Sequence, residues 1–235
     1  MDITVIKLGG SLVSPSREKL FDFDYLKGLK EKLLPHLQAG RKFFFVLGGG
    51  SLMRMYRDLA KDAGVQGENE LHLIGTTVNV LNAEVFRAYF AEYADEGVFK
   101  YEDYYDDKPI EILKGLKAGG GGRPGHSGDM DATLAALKCQ SDTVINLKNI
   151  DHIYSADPKK DPNATKINDL TWEQYLELIG NPADHEPGGN YPIDPVTSRL
   201  AREKNIKMVV MSGWDLDNFA SYLSGNAYEG TLVHN

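Results

Sequence analysis

The pentapeptide Lys7-Leu8-Gly9-Gly10-Ser11 follows the apolar run Ile3 to Ile6. A strand that ends in two glycines lets backbone N–H groups approach an anion, because no Cβ stands between them. Lys7 adds a mobile ammonium at the same mouth. The arrangement recurs: residues 43–47, Phe-Phe-Phe-Val-Leu, read as a buried parallel strand, and Gly48-Gly49-Gly50-Ser51 follows directly. Leu52, Met55, Tyr56 and Leu59 then fall on one helical face. Ser51 is expected to cap that helix, so that its free N–H groups point out of the glycine turn as an anion site made of backbone. Tight strand-to-helix connections need small residues for steric reasons too. Two such turns in one chain suggest two phosphate groups, on two different molecules.

The third cluster is Gly119-Gly120-Gly121-Gly122-Arg123-Pro124-Gly125-His126-Ser127-Gly128-Asp129. It reads as a flexible loop running into a helix whose first turn carries Asp129 and Asp131. Carboxylates there hold Mg²⁺ together with waters and substrate phosphates, or simply cap the helix. The fourth cluster, from Asn146 to Pro162, turns twice and offers an aromatic ring, carboxylates and lysines. That set suits a nucleotide base and ribose, although periodicity by itself gives a polar loop. The acidic run at 103–107 reads as a solvated loop.

The elements that must position these groups alternate. Helices are expected near 24–37, 51–63, 68–93, 129–138, 171–179, 195–204 and 216–223. Strands are expected at 43–47, 143–147 and 207–211, besides the first. This order implies a parallel, largely buried sheet with ligands at its C-terminal edge. The 235 residues suffice for one large α/β domain or two intimate lobes sharing a sheet. A net charge of −8 excludes a general binder of nucleic-acid polymers, which needs a basic stripe. The single cysteine, Cys139, forms no internal disulfide, no apolar stretch approaches membrane-spanning length, and nothing at the N-terminus resembles a secretory signal. A cytoplasmic protein with no membrane partner is expected.

The strings KLGGSL, VLGGGSLMRMY, IGTTVNVLNAEVF, GRPGHSGD, LKNIDHIYSADPKKDPNATKI and IDPVTSRLA span nearly the whole chain. In order and spacing they resemble the amino acid kinase superfamily, and within it the uridylate (UMP) kinases of archaeal type. The resemblance implies a three-layer αβα sandwich with a mainly parallel central sheet. It implies one domain over 1–235, with an N-terminal acceptor lobe to about residue 140 and a C-terminal ATP lobe from about 141. It implies a homo-oligomer, a hexamer above all, acting on small nucleotides, and transfer of the ATP γ-phosphoryl to UMP with Mg²⁺. By the same resemblance, Lys7 and Asp129 are catalytic, and Gly9, Gly10, Ser11, Asn149, Tyr154 and Asp157 bind ATP. Gly48, Gly49, Gly50, Thr76, Thr77, Asn79, His126 and Ser127 bind the acceptor. Mg²⁺ is held through the phosphates, with either Asp129 or Asp131 organising it, since SGDMDATLAAL can be registered on either.

The chain also departs from the pattern. Many members carry a second lysine after the penultimate strand, where this chain reads Met211-Ser212-Gly213-Trp214-Asp215. His152 stands where members often have glycine, and the four-glycine run is unusual. Two other readings therefore stand beside UMP phosphorylation. One is the same chemistry on another small acceptor, such as isopentenyl phosphate, a carbamate or a carboxylate. The other is a non-enzymatic oxyanion-storage relative. Retention of Lys7 and Asp129 favours catalysis.

Overall fold

The computed structural model describes residues 3–183 and 191–235. The elements run β1 (Ile3–Leu8), α1 (Gly10–Val13), α2 (Phe23–Gln38), β2 (Lys42–Leu47), α3 (Gly50–Asp62), α4 (Glu68–Tyr89), a 3-10 turn (Tyr101–Tyr104), β3 (Leu116–Gly119), α5 (Gly128–Cys139), β4 (Thr143–Lys148), β5 (Ile153–Tyr154), β6 (Lys166–Ile167), β7 (Asp169–Thr171), α6 (Trp172–Leu178), α7 (Pro195–Glu203), β8 (Lys207–Ser212), α8 (Leu216–Leu223) and β9 (Thr231–His234). Seven strands form one sheet in the order β3-β2-β1-β4-β8-β9-β7. The pairs from β3 to β8 are parallel, and β9 runs antiparallel to β8. A short antiparallel β5–β6 hairpin stands apart.

Strand alternation splits the core into two layers. Ile6, Leu8, Phe43, Phe45, Leu47, Ile145 and Leu147 face α2, α4 and α8. Val5, Phe44, Val46, Val144, Met208 and Val210 face α5, α6 and α7 with Ala132, Trp172 and Tyr175. This is the expected αβα sandwich. Each alternate strand position is apolar on both faces, as a doubly covered sheet requires. Among the described residues no helix is long and apolar enough to cross a membrane.

Three sequence expectations change. The stretch 119–129 is not all flexible loop, because Gly119 closes β3 beside β2 and Gly128 opens α5. The glycines that follow are tightly packed: a Cβ on Gly120 would stand 2.7 Å from the Asn79 carbonyl oxygen, and one on Gly122 would collide with the Asp131 carboxylate. The run is glycine because α4 and α5 leave no room for side chains. The acidic stretch is not wholly solvated either, since Tyr104 within it is buried. Finally, the long helix α4 ends at Tyr89, where Phe90 and Ala94 turn into the core.

Candidate active site

The chain builds outward from β1 to β2 and β3, then returns to place β4 on the other side of β1. At such a switch point the connections leave in opposite directions and open a crevice beyond the strand ends. The first glycine turn, after β1, lies at this point, and the second, after β2, stands beside it. Their backbones touch: a Cβ on Gly10 would run into the Gly50 nitrogen and lie 2.8 Å from that of Gly49. Gly50 adopts φ +60°, a conformation costly for residues with a Cβ. Of the first N–H groups of α3, those of Ser51 and Leu52 are taken by the Ser14 carbonyl and hydroxyl, which leaves the Gly49 and Gly50 N–H groups at the junction with no acceptor among the described residues. Two anions bound here would be neighbours.

Ser51 is not the cap of α3. Gly49 occupies the cap position without a side-chain bond. The Ser51 hydroxyl instead donates to the Ser16 carbonyl at 2.7 Å and meets the Ser14 hydroxyl at 3.1 Å. With the Ser51 N–H bonded to the Ser14 carbonyl, these contacts lock the segment after the first turn to the second. From α4, the Asn82 amide donates to the carbonyls of Gly48 at 2.9 Å and Gly49 at 3.3 Å. Fixing those carbonyls fixes the peptide planes whose N–H groups belong to Gly49 and Gly50.

The charged centre follows from register. Lys7 on β1 pairs with Asn146 on β4, and Lys148 lies two residues further on, so all three project toward α5. The first turn of α5 delivers Asp129 into them. Its Oδ1 lies 3.3 Å from Lys7 Nζ and accepts from the Asn146 amide at 2.9 Å; its Oδ2 lies 3.3 Å from Lys148 Nζ. Burial pushes the Asp129 carboxyl up, but the charges of Lys148 and Lys7 outweigh it and hold the group well below the usual carboxylate range. Burial pushes Lys148 down to about 8 against the attraction of Asp129. Between Asp129 and Asp131, only Asp129 meets these lysines.

Asp131 faces the other way. Its Oδ2 accepts the Gly122 N–H at 3.0 Å, while its Oδ1 is buried without a partner. Burial, reinforced by the nearby Asp129 and Asp194 charges, raises it to about 7. Among the described residues no group of three or more His, Cys, Asp or Glu is placed to hold a metal by itself, so Mg²⁺ here would need phosphate oxygens and waters besides one carboxylate. Ser127 caps α5 by accepting from the Met130 N–H, and its hydroxyl donates to Asp194. Asp194 itself caps α7 through the Thr197 N–H at 2.8 Å. A single polar bridge thus ties the loop before α5 to α7.

The remaining predicted residues spread over two sides of the centre. Asn79 lies against Gly49, where a Cβ would come 2.6 Å from its Oδ1. Thr76 is buried on the same helix beside Gly121. Thr77 is exposed, back-bonded to the Leu73 carbonyl and 3.4 Å from the Tyr101 hydroxyl. His126 pairs with the Tyr105 hydroxyl at 2.6 Å, above which Arg123 stacks on the Tyr105 ring. On the far side, Asn149 is exposed directly after β4, Tyr154 donates to Asp151 at 2.8 Å, and Asp157 shapes the exposed turn before β6 by accepting from the Lys159 N–H. Among the described residues no hydrogen bond or ion pair joins these three to Lys7 or Asp129. Lys148, Asn82 and Asp194 are contributors that the motifs alone do not single out.

The model of the "Amino acid kinase family" matches residues 2–212. A uridylate kinase of Methanocorpusculum labreanum is 32% identical over 100% of this chain and 97% of its own length. One of Archaeoglobus fulgidus is 30% identical over 97% and 98%. The crystal structure of uridylate kinase from Archaeoglobus fulgidus superposes with a TM-score of 0.77 at 27% identity, covering 99% of this chain and 100% of that one. A UMP kinase structure from Bacillus anthracis, at 19% identity and a TM-score of 0.78, shares the fold. The glycine turns, the switch-point crevice and the lysine–aspartate centre all fall inside the matched span, and the chain belongs to the amino acid kinase family, among the uridylate kinases.

Proposed function

We propose that the protein transfers the γ-phosphoryl group of ATP to UMP, giving ADP and UDP. The observation that carries this reading is the backbone contact between the two glycine turns: phosphates bound at both would be neighbours, with Lys7 two residues before the first turn. Gly9, Gly10 and Ser11 cradle the ATP phosphates, and Gly48, Gly49 and Gly50 receive the UMP phosphate. Asn79 with Thr76, Thr77, His126 and Ser127 borders the acceptor nucleoside, and Asn149, Tyr154 and Asp157 surround the adenosine. The lobe up to about residue 140 takes the acceptor and the remainder takes ATP.

A phosphate monoester has its second pKa near 6, so the UMP oxygen arrives largely deprotonated at pH 7. No general base is needed. The protein's task is positioning and charge neutralisation as the β–γ oxygen bond opens and the new P–O bond forms. Lys7 faces the moving phosphoryl group, and Asp129 fixes the Lys7 ammonium. Mg²⁺, brought with ATP, would neutralise phosphate charge, and Asp129 or Asp131 would orient its waters. The enzyme acts in the cytoplasm as a homo-oligomer, a hexamer in the first instance.

Measured ADP release with UMP, CMP, isopentenyl phosphate and acetylglutamate tests the reading. UMP should give the highest kcat/KM. A higher value for any other acceptor would reassign the substrate, and no turnover with any would favour an oxyanion-storage role.

A further inference from the structure

The transferring phosphoryl group carries charge on three oxygens, and one lysine meets only part of it. The stretch 211–215, after β8, holds no lysine. Yet a second ammonium already stands at the centre. Lys148 closes β4, on the strand next to Lys7 and on the same sheet face, and one carboxylate holds both: Asp129 lies 3.3 Å from each Nζ through different oxygens. Two cations against one anion leave the triad with an excess positive charge, with Asp194 the next carboxylate that acts on Lys148. A merely structural ion pair would need one lysine.

The Lys148 ammonium has three donors. One points to Asp129 and one to the Pro192 carbonyl, which leaves a third without an assigned acceptor among the described residues. Both tethers are rigid. Asp129 is fixed by Asn146, and Ile193, next to Pro192, is clamped through its N–H and carbonyl by the Tyr175 hydroxyl at 2.8 and 2.6 Å. The Lys148 carbonyl accepts from the Gly213 N–H at 2.7 Å, so the strand end is fixed as well.

We propose that Lys148 is a catalytic residue, its ammonium donating, alongside Lys7, to a further oxygen of the transferring phosphoryl group. The proposal rests on the phosphotransfer reading above. No proton moves at Lys148: the bond from phosphorus to the ADP oxygen breaks, the bond to the acceptor oxygen forms, and the lysine stays an ammonium throughout.

Lys148→Met is the test. It leaves Lys7 and Asp129 as a matched pair, so the variant should fold, as near-UV circular dichroism and Tm will report. With ATP and UMP, kcat should drop about 10²-fold or more, the size of one preorganised electrostatic donor. Both KM values should move less than about fivefold, because the contact strengthens in the transition state. Lys148→Arg should recover kcat to within about tenfold, since it keeps the cation. A folded methionine variant with wild-type kcat overturns the proposal, as does a loss of activity that merely tracks the folded fraction. Should the methionine variant not fold, Lys148→Gln, which keeps a donor for the Pro192 carbonyl, takes its place: the same drop in kcat supports the proposal and wild-type kcat overturns it. Failure of the wild type on every acceptor would instead overturn the function proposed above.

Discussion

Replacing Asp131 by asparagine should remove a pH-dependent load from the fold. In the native protein this carboxyl is buried with one unpartnered oxygen and is raised from 3.8 to about 7, first by burial and then by Asp129 and Asp194, against the Gly122 N–H. The unfolded chain releases the proton near pH 4. Between about pH 4 and 7 the native state therefore holds a proton that the unfolded state has lost, and stability falls as pH rises through this window. Three units at 1.36 kcal/mol each correspond to about 4 kcal/mol, complete above pH 7. Asparagine keeps an acceptor for the Gly122 N–H and never ionises. Thermal unfolding of both proteins at pH 5 and pH 8 checks this. From pH 5 to pH 8 about two of these three units are crossed, about 3 kcal/mol, so the advantage of Asp131→Asn should grow by about 5–10 °C at 2–4 °C per kcal/mol for a chain of this length. An equal difference at both pH values would refute the reasoning, because Asp131 would then titrate like an exposed carboxyl.

Two further perturbations separate the anion sites. Asn82→Leu deletes the amide that fixes the Gly48 and Gly49 carbonyls; the acceptor KM should rise about tenfold, the cost of one or two hydrogen bonds, while the ATP KM holds, as initial-rate kinetics with each nucleotide varied will show. Gly10→Ala drives a Cβ into the Gly50 nitrogen and displaces both turns together; kcat/KM should fall about 10²-fold or more for both nucleotides, and loss for only one would mean that the turns move independently.

Much of this arrangement is legible in the chain. α7 announces itself by Asp194 as cap with Pro195 in the first turn, and α8 by Asp215 capping an apolar 3.6-residue pattern, so local chemistry alone locates both. β3 is hidden because its Leu-Lys-Ala-Gly sequence merges into the glycine run, and its strand character comes from pairing with β2. β7 and β9 are short and sit beyond β8, with too few residues for a period to show. At the site, the glycine turns are visible because their constraint is local. Ser51 is misleading, since both capping and bracing of a neighbouring loop suit serine, and only the tertiary contact with Ser14 and Ser16 decides. Lys148 does carry a signal: Val144, Asn146 and Lys148 share one face, and a polar pair at the end of a buried strand marks the crevice. Asn82 leaves none, because its partners lie some thirty residues away.

Asp129 shows the same dependence on tertiary contact. Capping alone implies that Asp129→Asn spares folding, but the change leaves two lysines facing a neutral amide in a largely buried place, so a lower Tm is expected.

The most direct measurement follows the label itself. With ATP carrying ³²P at the γ position, UMP and Mg²⁺, the account predicts that the label appears in UDP, in step with ADP formed, and that omitting UMP leaves it in ATP. Label released only as inorganic phosphate, or carried to another acceptor while UMP stays unlabelled, would contradict the claim that the two glycine turns hold ATP and UMP phosphates side by side.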